Sequence, residues 1–203
     1  MATNATAKRI TARERLLAAA NDLFYEEGVH VVGIDRVIER AGVAKATLYS
    51  AFGSKDALIG AYLDGRHEIR RRRVTEAVAR HQDPRARLLA VFDALGEAFA
   101  EPGYRGCAFL NASAEAGPDS LIVQATDTYR GWIRSLFTEL AAAAGAADPD
   151  QLADQLVLLY DGAGVSARMD RNLAAAATAR AVAAVMLDLA VTGTPGPAAA
   201  AQD

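Results

Sequence analysis

The residue types that most often carry out chemistry are sparse in this sequence and form no catalytic pattern. The three histidines, His30, His67 and His81, lie far apart and lack the spacing that would bring them to one metal ion. Residues 162–167 match a loose glycine pattern of dinucleotide-binding loops, but they fall inside a predicted helix with no preceding strand. No paired carboxylates or nucleophile motif stand out. We therefore predict no enzymatic activity, no cofactor and no metal.

A second set of polar residues lies on and beside one short predicted helix. Lys45, Thr47, Tyr49 and Lys55 are close together in sequence, and apolar residues occupy the opposite side of that helix. A helix that served only for packing would not require such an exposed polar set. The pattern therefore favours a binding surface.

Two short helical segments, 34–41 and 44–52, position this set, and Gly42-Val43 separates them. Gly42 can adopt positive φ without a Cβ penalty. Helices this short are marginal in isolation, so they need mutual burial. The apolar residues that can provide it are Ile34, Val37, Ile38, Val43 and Leu48. The pattern predicts a helix-turn-helix.

The rest of the chain also indicates helices. Thr11 and Glu14 match a capping box that begins a first helix, which ends at Gly28. Ser54 is expected to cap a long helix that runs to about His81. Abundant alanine and few aromatic residues favour packed helices over sheets. Five further helices are predicted over 84–100, 105–116, 119–144, 148–168 and 172–191. We expect an all-α fold of about nine helices, with a three-helix head and a helical body.

Charge is distributed unevenly along the chain. The net charge is −3, but residues 1–73 carry about +4 and the remaining residues about −7. A solvated helix face explains the basic run from Arg70 to Arg73 equally well. We divide the chain into a flexible arm (1–9), a helix-turn-helix domain (10–53), a helical body (54–192) and a disordered tail (193–203).

Other features suggest where the protein resides. Hydrophobic residues make up 52% and charged residues 23% of the chain, which is typical of a folded globular protein. The single cysteine, Cys107, excludes an internal disulfide and fits a reducing compartment. We see no signal peptide and no uninterrupted apolar run long enough to span a bilayer, so we expect a cytoplasmic protein without a membrane partner.

The stretch from Ile34 to Leu58 resembles the DNA-binding head of TetR/AcrR transcription regulators. The matching residues are Ala41-Gly42-Val43, Thr47-Leu48-Tyr49, Phe52, Ser54-Lys55 and Leu58, preceded by Leu23-Phe24 and Gly28. The resemblance covers about residues 11–63; beyond it, only the number and lengths of helices match. The segment with Gly106, Cys107, Asn111 and Glu115 is similar to a subset of the family.

The resemblance implies a role for each residue of the motif. Its second helix, residues 44–52, would enter the major groove, where Lys45 could donate to guanine, and Ala46 and the Thr47 methyl could contact thymine. Thr47, Tyr49 and Lys55 would contact phosphates, and Ser50 a base or a phosphate. The implied DNA-binding set is Gly33, Asp35, Ala44, Lys45, Ala46, Thr47, Tyr49, Ser50 and Lys55.

Two of these positions depart from the family pattern. Many members have Thr or Ser where this chain has Gly33, so a phosphate-contacting hydroxyl is missing, although the backbone N–H can substitute. Asp35 stands where some relatives carry a basic residue that reads a base. It could accept from cytosine N4 or stabilise the helix N-terminus, and we favour the second role.

For the body, the resemblance implies an unidentified, largely apolar small effector. Candidate ligand-binding residues are Tyr62, Phe92, Phe99, Cys107, Leu110, Asn111, Glu115, Tyr129, Trp132 and Ile133. Taken singly, each apolar one is better explained as part of the core, whereas as a group they could line an apolar cavity. Cys107, Asn111 and Glu115 share one predicted helix face, which would be exposed to solvent or line the pocket. Cys107 could also be a redox or electrophile sensor, or simply a buried thiol.

Small and apolar residues on the last two helices suggest a four-helix dimer interface. The candidates are Leu152, Leu156, Leu159, Gly162, Ala163, Val182, Val185, Met186 and Leu189. The resemblance thus implies a homodimeric repressor that binds a palindromic operator in double-stranded DNA and is released by the effector, with the long helix as lever. The alternatives are a dimeric helical scaffold or adaptor without DNA binding, and a ligand-binding enzyme.

Overall fold

The computed structural model describes residues 10–192 except 115, 118 and 119, and these residues form nine α-helices and no strand. The helices are α1 (Ala12–Glu27), α2 (Ile34–Ala41), α3 (Lys45–Phe52), α4 (Lys55–Ala79), α5 (Pro84–Phe99), α6 (Ala108–Ser113), α7 (Leu121–Ala143), α8 (Pro149–Met169) and α9 (Ala175–Thr192). The predicted all-α fold is confirmed. The predicted arm and tail, and Glu115, lie outside the described residues.

Several helices begin at the capping residues that the sequence indicates. Thr11 Oγ1 accepts from the Glu14 N–H at 3.1 Å, and the Glu14 carboxylate accepts from the Thr11 N–H at 2.7 Å. Asp83 and Asp148 cap α5 and α8 in the same way, each followed by proline at the first helical position. These contacts satisfy backbone N–H groups that have no partner within the helix.

Helix α6 is shorter than the predicted span of 105–116. Gly106 has a φ of +92°, which an α-helix does not accommodate, so α6 begins only at Ala108. A Cβ on Gly106 would lie 3.2 Å from Cγ of Arg168. The chain therefore passes close to α8 at this glycine, and Cys107 precedes α6 instead of sharing its face with Asn111.

One compact unit, called the head below, consists of residues up to Arg66 and Ala108–Ala125. Helices α1, α2 and α3 pack against one another, and Phe24 meets Tyr62 edge to face with ring centroids 5.6 Å apart. The side chains of its core are buried: Leu16, Leu23, Phe24, Val37, Leu48, Leu58, Tyr62 and Leu63. Tertiary burial therefore holds the two short helices in place.

The second unit, called the body, consists of His67–Cys107 and the described residues from Thr126 onward. Helix α9 packs on α5 and α8, and a Cβ on Gly96 would lie 3.4 Å from that of Ala176. Ion pairs join α7 to α8 between Arg130 and Asp161 and between Arg134 and Asp154. The largest core side chains are Phe92, Phe99, Tyr129, Ile133, Phe137 and Leu156.

Helix α9 is the one described helix that is long and apolar enough, by length and composition, to cross a membrane, with a mean hydropathy of 1.5. Its charged residues nevertheless pair with α5. Asp188 accepts two hydrogen bonds of 2.8 Å from Arg85, and Arg180 lies 2.9 Å from Asp93. Together with buried alanines such as Ala183, these contacts fasten α9 to the body.

Candidate nucleic-acid interface

The turn between α2 and α3 depends on one glycine. Gly42 adopts a left-handed φ of 61° at the end of α2, and the Val43 N–H bonds back to the Ile38 carbonyl at 3.3 Å. A residue with a Cβ would be strained there. Val37 and Leu48 are fully buried on either side of this turn, so the angle between the helices is set by packing.

Helix α3 presents most of its surface outward. Leu48 is its only buried residue, whereas Lys45, Ala46, Tyr49 and Ser50 are exposed and Thr47 is half-buried. Tyr49 is 45% exposed. The predicted polar set therefore lies on the surface of one helix.

The starts of α2 and α3 carry no side-chain caps. Gly33 and Ala44 occupy the two N-cap positions in extended conformations, and neither side chain accepts a hydrogen bond from the helix. Both residues are exposed. First-turn N–H groups of this kind, at the positive end of the helix dipole, suit an anion such as phosphate.

Asp35 makes a contact that the sequence did not reveal. Lys45 Nζ donates a 3.1 Å hydrogen bond to the Asp35 carboxylate, and both side chains are exposed. The hydrogen bond, and then the attraction between the two charges, raises the pKa of Lys45. The residue with the strongest predicted base-reading role is therefore paired across the turn in the absence of DNA.

Lys55 and Ser54 lie at the start of α4. The Ala57 N–H donates to Ser54 Oγ at 3.0 Å, so Ser54 caps this helix as predicted. Lys55 is the first residue of α4 and is half-buried. Lys55 thus follows the last residue of α3, Phe52, by three positions.

Contacts missed by the sequence reasoning hold the head together. Arg36 donates two hydrogen bonds, of 2.5 and 2.9 Å, to Glu27 of α1, and Arg40 lies 3.7 Å from Asp22. The hydrogen bond to Arg36 lowers the pKa of Glu27. These pairs keep α2 fixed on α1. The only sequence signal for these pairs was that acidic residues of α1 could face basic residues of α2.

A further contact joins α6 to the loop before α2. A ring nitrogen of His30 lies 3.2 Å from the Ala112 carbonyl, at the right distance for a hydrogen bond. Nothing in the spacing of the two residues along the chain indicated it.

The candidate ligand-binding residues divide between the two units. Tyr62, exposed Leu110 and Asn111 belong to the head, and the other described candidates belong to the body. Phe92, Phe99, Tyr129 and Ile133 are buried, while Cys107 and Trp132 are half-buried. In the body the structure brings Tyr129 and Trp132 together, with ring centroids 6.2 Å apart.

The candidate dimer residues also divide, by exposure. Leu152, Leu156 and Ala163 are buried in the core of their own chain, and Leu159 and Met186 pack partly against it. Gly162, Val182, Val185 and Leu189 are exposed. Sequence reasoning missed three exposed apolar residues of α8, namely Leu158, Val165 and Met169. Their exposure could not be read from a helix that is apolar on several sides.

No group of three or more His, Cys, Asp or Glu side chains suited to a metal ion occurs in the described part of the chain.

Comparisons with known proteins agree with this geometry. Residues 16–62 match the family model of bacterial regulatory proteins of the tetR family. A stretch of 82 residues is 38% identical to the transcriptional activator FasR of Mycolicibacterium smegmatis, and it covers 40% of this chain and 37% of FasR.

Whole-chain similarity comes from solved structures. A TetR-family transcriptional regulator of Streptomyces coelicolor is 38% identical with a TM-score of 0.82, over 87% of this chain and 94% of that one. Escherichia coli NemR in its reduced form is 26% identical with a TM-score of 0.76, over 86% of this chain and 97% of NemR. With an exposed helix-turn-helix in the matched region and this likeness along nearly its full length, the chain belongs to the TetR family of DNA-binding transcriptional regulators.

Proposed function

We propose that this regulator is a repressor whose dimer binds a palindromic operator and is released by a small-molecule effector. The observation that carries the DNA-binding half is the outer face of α3, where Lys45, Ala46, Tyr49 and Ser50 are exposed around a fully buried Leu48. A face with this composition suits the major groove, whose base edges offer acceptors and thymine methyl groups.

Within this proposal the residues have separate tasks. Lys45 reads guanine, while Ala46 and the Thr47 methyl contact thymine. The hydroxyls of Thr47 and Tyr49 and the ammonium of Lys55 bind phosphates and set the register, and Ser50 bonds to a base or a phosphate. Backbone N–H groups near Gly33 and Ala44 supply further phosphate contacts where side-chain caps are missing.

Asp35 adds a step to DNA recognition. Because Lys45 is held by the Asp35 carboxylate, DNA must either displace this hydrogen bond or share the lysine with it. The pair orients the ammonium before binding, which reduces the side-chain entropy lost in the complex. Asp35 also lies in the first turn of α2, where a negative charge stabilises the helix.

The dimer is proposed to form through α8 and α9. Exposed Leu158, Gly162, Val165 and Met169 recur at the spacing of one face of α8. Val182, Val185 and Leu189 do the same on α9, where Leu189 is 68% exposed. Exposed apolar stripes on two adjacent helices mark an interface. Two copies related by a two-fold axis would present two α3 helices to a symmetric operator.

The effector is proposed to bind in the body, near the half-buried Trp132 and the buried Tyr129. Helix α4 is continuous from Lys55 to Ala79, and its residues contribute to both units. It is therefore the proposed lever. A ligand that binds better to the DNA-free form must, by linkage, weaken operator binding by the same factor.

The sign of regulation is part of the proposal. FasR is an activator, and the match covers only 37% of its length. We propose that repression acts through steric occlusion of the promoter by the bound dimer. A reporter driven by the operator-containing promoter tests this, because expression should rise when the protein is removed.

The decisive experiment measures binding of the purified protein to promoter palindromes by fluorescence anisotropy at several salt concentrations. Log affinity should fall linearly with log salt, because phosphate neutralisation releases counterions. Lys45→Ala should weaken operator binding by about ten- to a hundred-fold and relax the preference for one base.

Arg72→Ala is the matched control, since it removes one exposed positive charge from the part of α4 that lies in the body. It should leave base preference unchanged. A wild-type protein without a salt-dependent slope would refute DNA regulation and favour a scaffold. Unchanged base preference in Lys45→Ala would refute the assignment of Lys45.

A further inference from the structure

Arg70 of α4 differs from the arginines beside it. Arg71 is paired with Glu68 at 3.0 Å, and Arg73 is paired with Glu101. Arg70 has no carboxylate partner among the described residues. It instead donates a 2.9 Å hydrogen bond to the hydroxyl of Tyr129, and its Cζ lies 5.5 Å from the centroid of that ring.

The partners of Arg70 do not neutralise it. Burial raises the pKa of Tyr129 well above that of free tyrosine, so Tyr129 is a neutral phenol at physiological pH. Besides Tyr129, the Tyr160 hydroxyl and the Cys107 thiol interact electrostatically with Arg70, and neither of these two groups is a carboxylate. Although burial alone disfavours the charged guanidinium, these groups keep the pKa of Arg70 above its ordinary value.

Within the part of the chain that the structure describes, the body therefore contains a half-buried cation without a carboxylate partner. Such a charge is costly to keep away from water, and proteins usually compensate it with an acidic side chain. The neighbouring cation Arg130 shows the usual arrangement, since it lies 2.7 Å from Asp161. The missing negative charge at Arg70 indicates a place for an anion from outside the chain.

Two more aromatic rings lie beside Tyr129, the hydrogen-bond partner of this cation. The His67 ring lies 5.8 Å from that of Tyr129 and 5.3 Å from that of Trp132. Both His67 and Trp132 are half-buried, and Nε2 of His67 is itself buried. Flat, half-buried rings favour an aromatic or otherwise apolar ligand body.

We propose that Arg70 binds the carboxylate of an organic monoacid whose apolar body packs against Trp132 and His67. The planar guanidinium can donate two parallel hydrogen bonds to a carboxylate. A single uncompensated positive charge suits a monoanion better than a phosphate, because the nearby Arg73 and Arg130 already have acidic partners. This inference rests on the proposed function, since it names the chemical class of its effector.

The single tryptophan makes the site directly observable. Trp132 is the only Trp of the chain, so its fluorescence reports binding at this place. The full-length protein is titrated with 2-naphthoate and, in parallel, with the neutral 2-naphthamide, and then with the benzoate and benzamide pair. The acid should bind at least about tenfold more tightly than its amide, as expected for a charge-assisted pair.

Variants identify the cation responsible. Arg70→Met should abolish the preference for the acid, and Arg70→Lys should retain part of it, because a lysine keeps the charge without the planar fork. Arg72→Met, at an exposed position nearby on the same helix, should retain all of it. Circular dichroism verifies folding, and Arg70→Lys remains informative if Arg70→Met does not fold.

Equal affinity of wild-type protein for acid and amide in both pairs would overturn the inference, as would a preference that survives in Arg70→Met. DNA binding is measured separately by anisotropy. Release of the operator by neutral compounds only would overturn the inference and leave the proposed repressor intact. Acid-selective binding at Trp132 in a protein that ignores DNA would support the site and refute the proposed function.

Discussion

The candidate sites of the head and the body place their charged side chains in different surroundings. In the head, charged side chains lie at the surface and pair with neighbours: Arg36 with Glu27, and Lys45 with Asp35. In the body, Arg70 is half-buried against a neutral phenol and has no described carboxylate partner. In our proposals, the head presents its exposed charges to the polyanion DNA, whereas the half-buried Arg70 of the body receives a small anion.

The difference shows how one chain can separate two recognition tasks. Contacts to a phosphate backbone are numerous, exposed and sensitive to salt, so no single pair needs to be strong. A small ligand makes few contacts, and a polar contact contributes much to its affinity only where water is excluded. Changes in the head should therefore act on DNA binding, and changes in the body on ligand binding and assembly.

The largest expected effect is the loss of stability on truncating a core leucine in either unit. Leu48 in the head and Leu156 in the body are both fully buried, and truncation to alanine should cost about 3–5 kcal/mol in each case. Leu48→Ala should abolish operator binding but leave the dimer intact. Leu156→Ala should destabilise the body and weaken the dimer.

Urea denaturation followed by circular dichroism, anisotropy with operator DNA and analytical ultracentrifugation measure these effects. Loss of the dimer in Leu48→Ala would contradict the assignment of the dimer interface to the body.

The next effect concerns the exposed apolar stripe of α9. Leu189→Asp places a charge where the proposed interface would bury it, and should weaken the dimer about a hundred-fold, or about 3 kcal/mol. Sedimentation velocity over a range of concentrations gives the dimer dissociation constant. Thr75→Asp, at an exposed position on α4, is the control and should have no effect. A Leu189→Asp protein that dimerises like the wild type would place the interface elsewhere.

The smallest effect concerns Asp35. Asp35→Asn removes a negative charge beside the DNA-binding face and releases Lys45 from its hydrogen bond. Non-operator DNA should bind about two- to threefold more tightly, with less discrimination in favour of the operator. Competition anisotropy with both DNAs measures this ratio. If exposed Asp64→Asn raised non-operator binding as much, then net charge alone, and not the pairing with Lys45, would explain the change.

Local signals predicted much of the fold. The capping box at Thr11, the stops at Gly28 and Gly42, and the Asp-Pro starts of α5 and α8 are all found where expected. Each is a contact between residues only a few positions apart. Their energies depend little on the remainder of the chain, and short-range pattern is therefore enough.

Contacts between residues far apart in sequence determined where α6 begins and which arginine of the basic run is half-buried against α7, and local sequence patterns did not predict either. Gly106 lies close to Arg168, and its positive φ delays α6, so Cys107 and Asn111 do not share a helix face. The basic run Arg70 to Arg73 was compatible with a solvated face. Arg71 and Arg72 are exposed, but Arg70 is half-buried against α7 because Tyr129 is on the adjacent surface of that helix.

For the candidate sites, the contrast is the same. The sequence by itself determined the helix-turn-helix and the polar face of α3, because the residues that build them are consecutive and their spacing defines one helix side. Only the tertiary structure decided that Lys45 pairs with Asp35 and that Leu152 and Leu156 are core residues. It also decided that Arg70 contacts a phenol and no described carboxylate. Burial and charge pairing depend on which residues are neighbours in space, and the order of residues along the chain does not specify those neighbours.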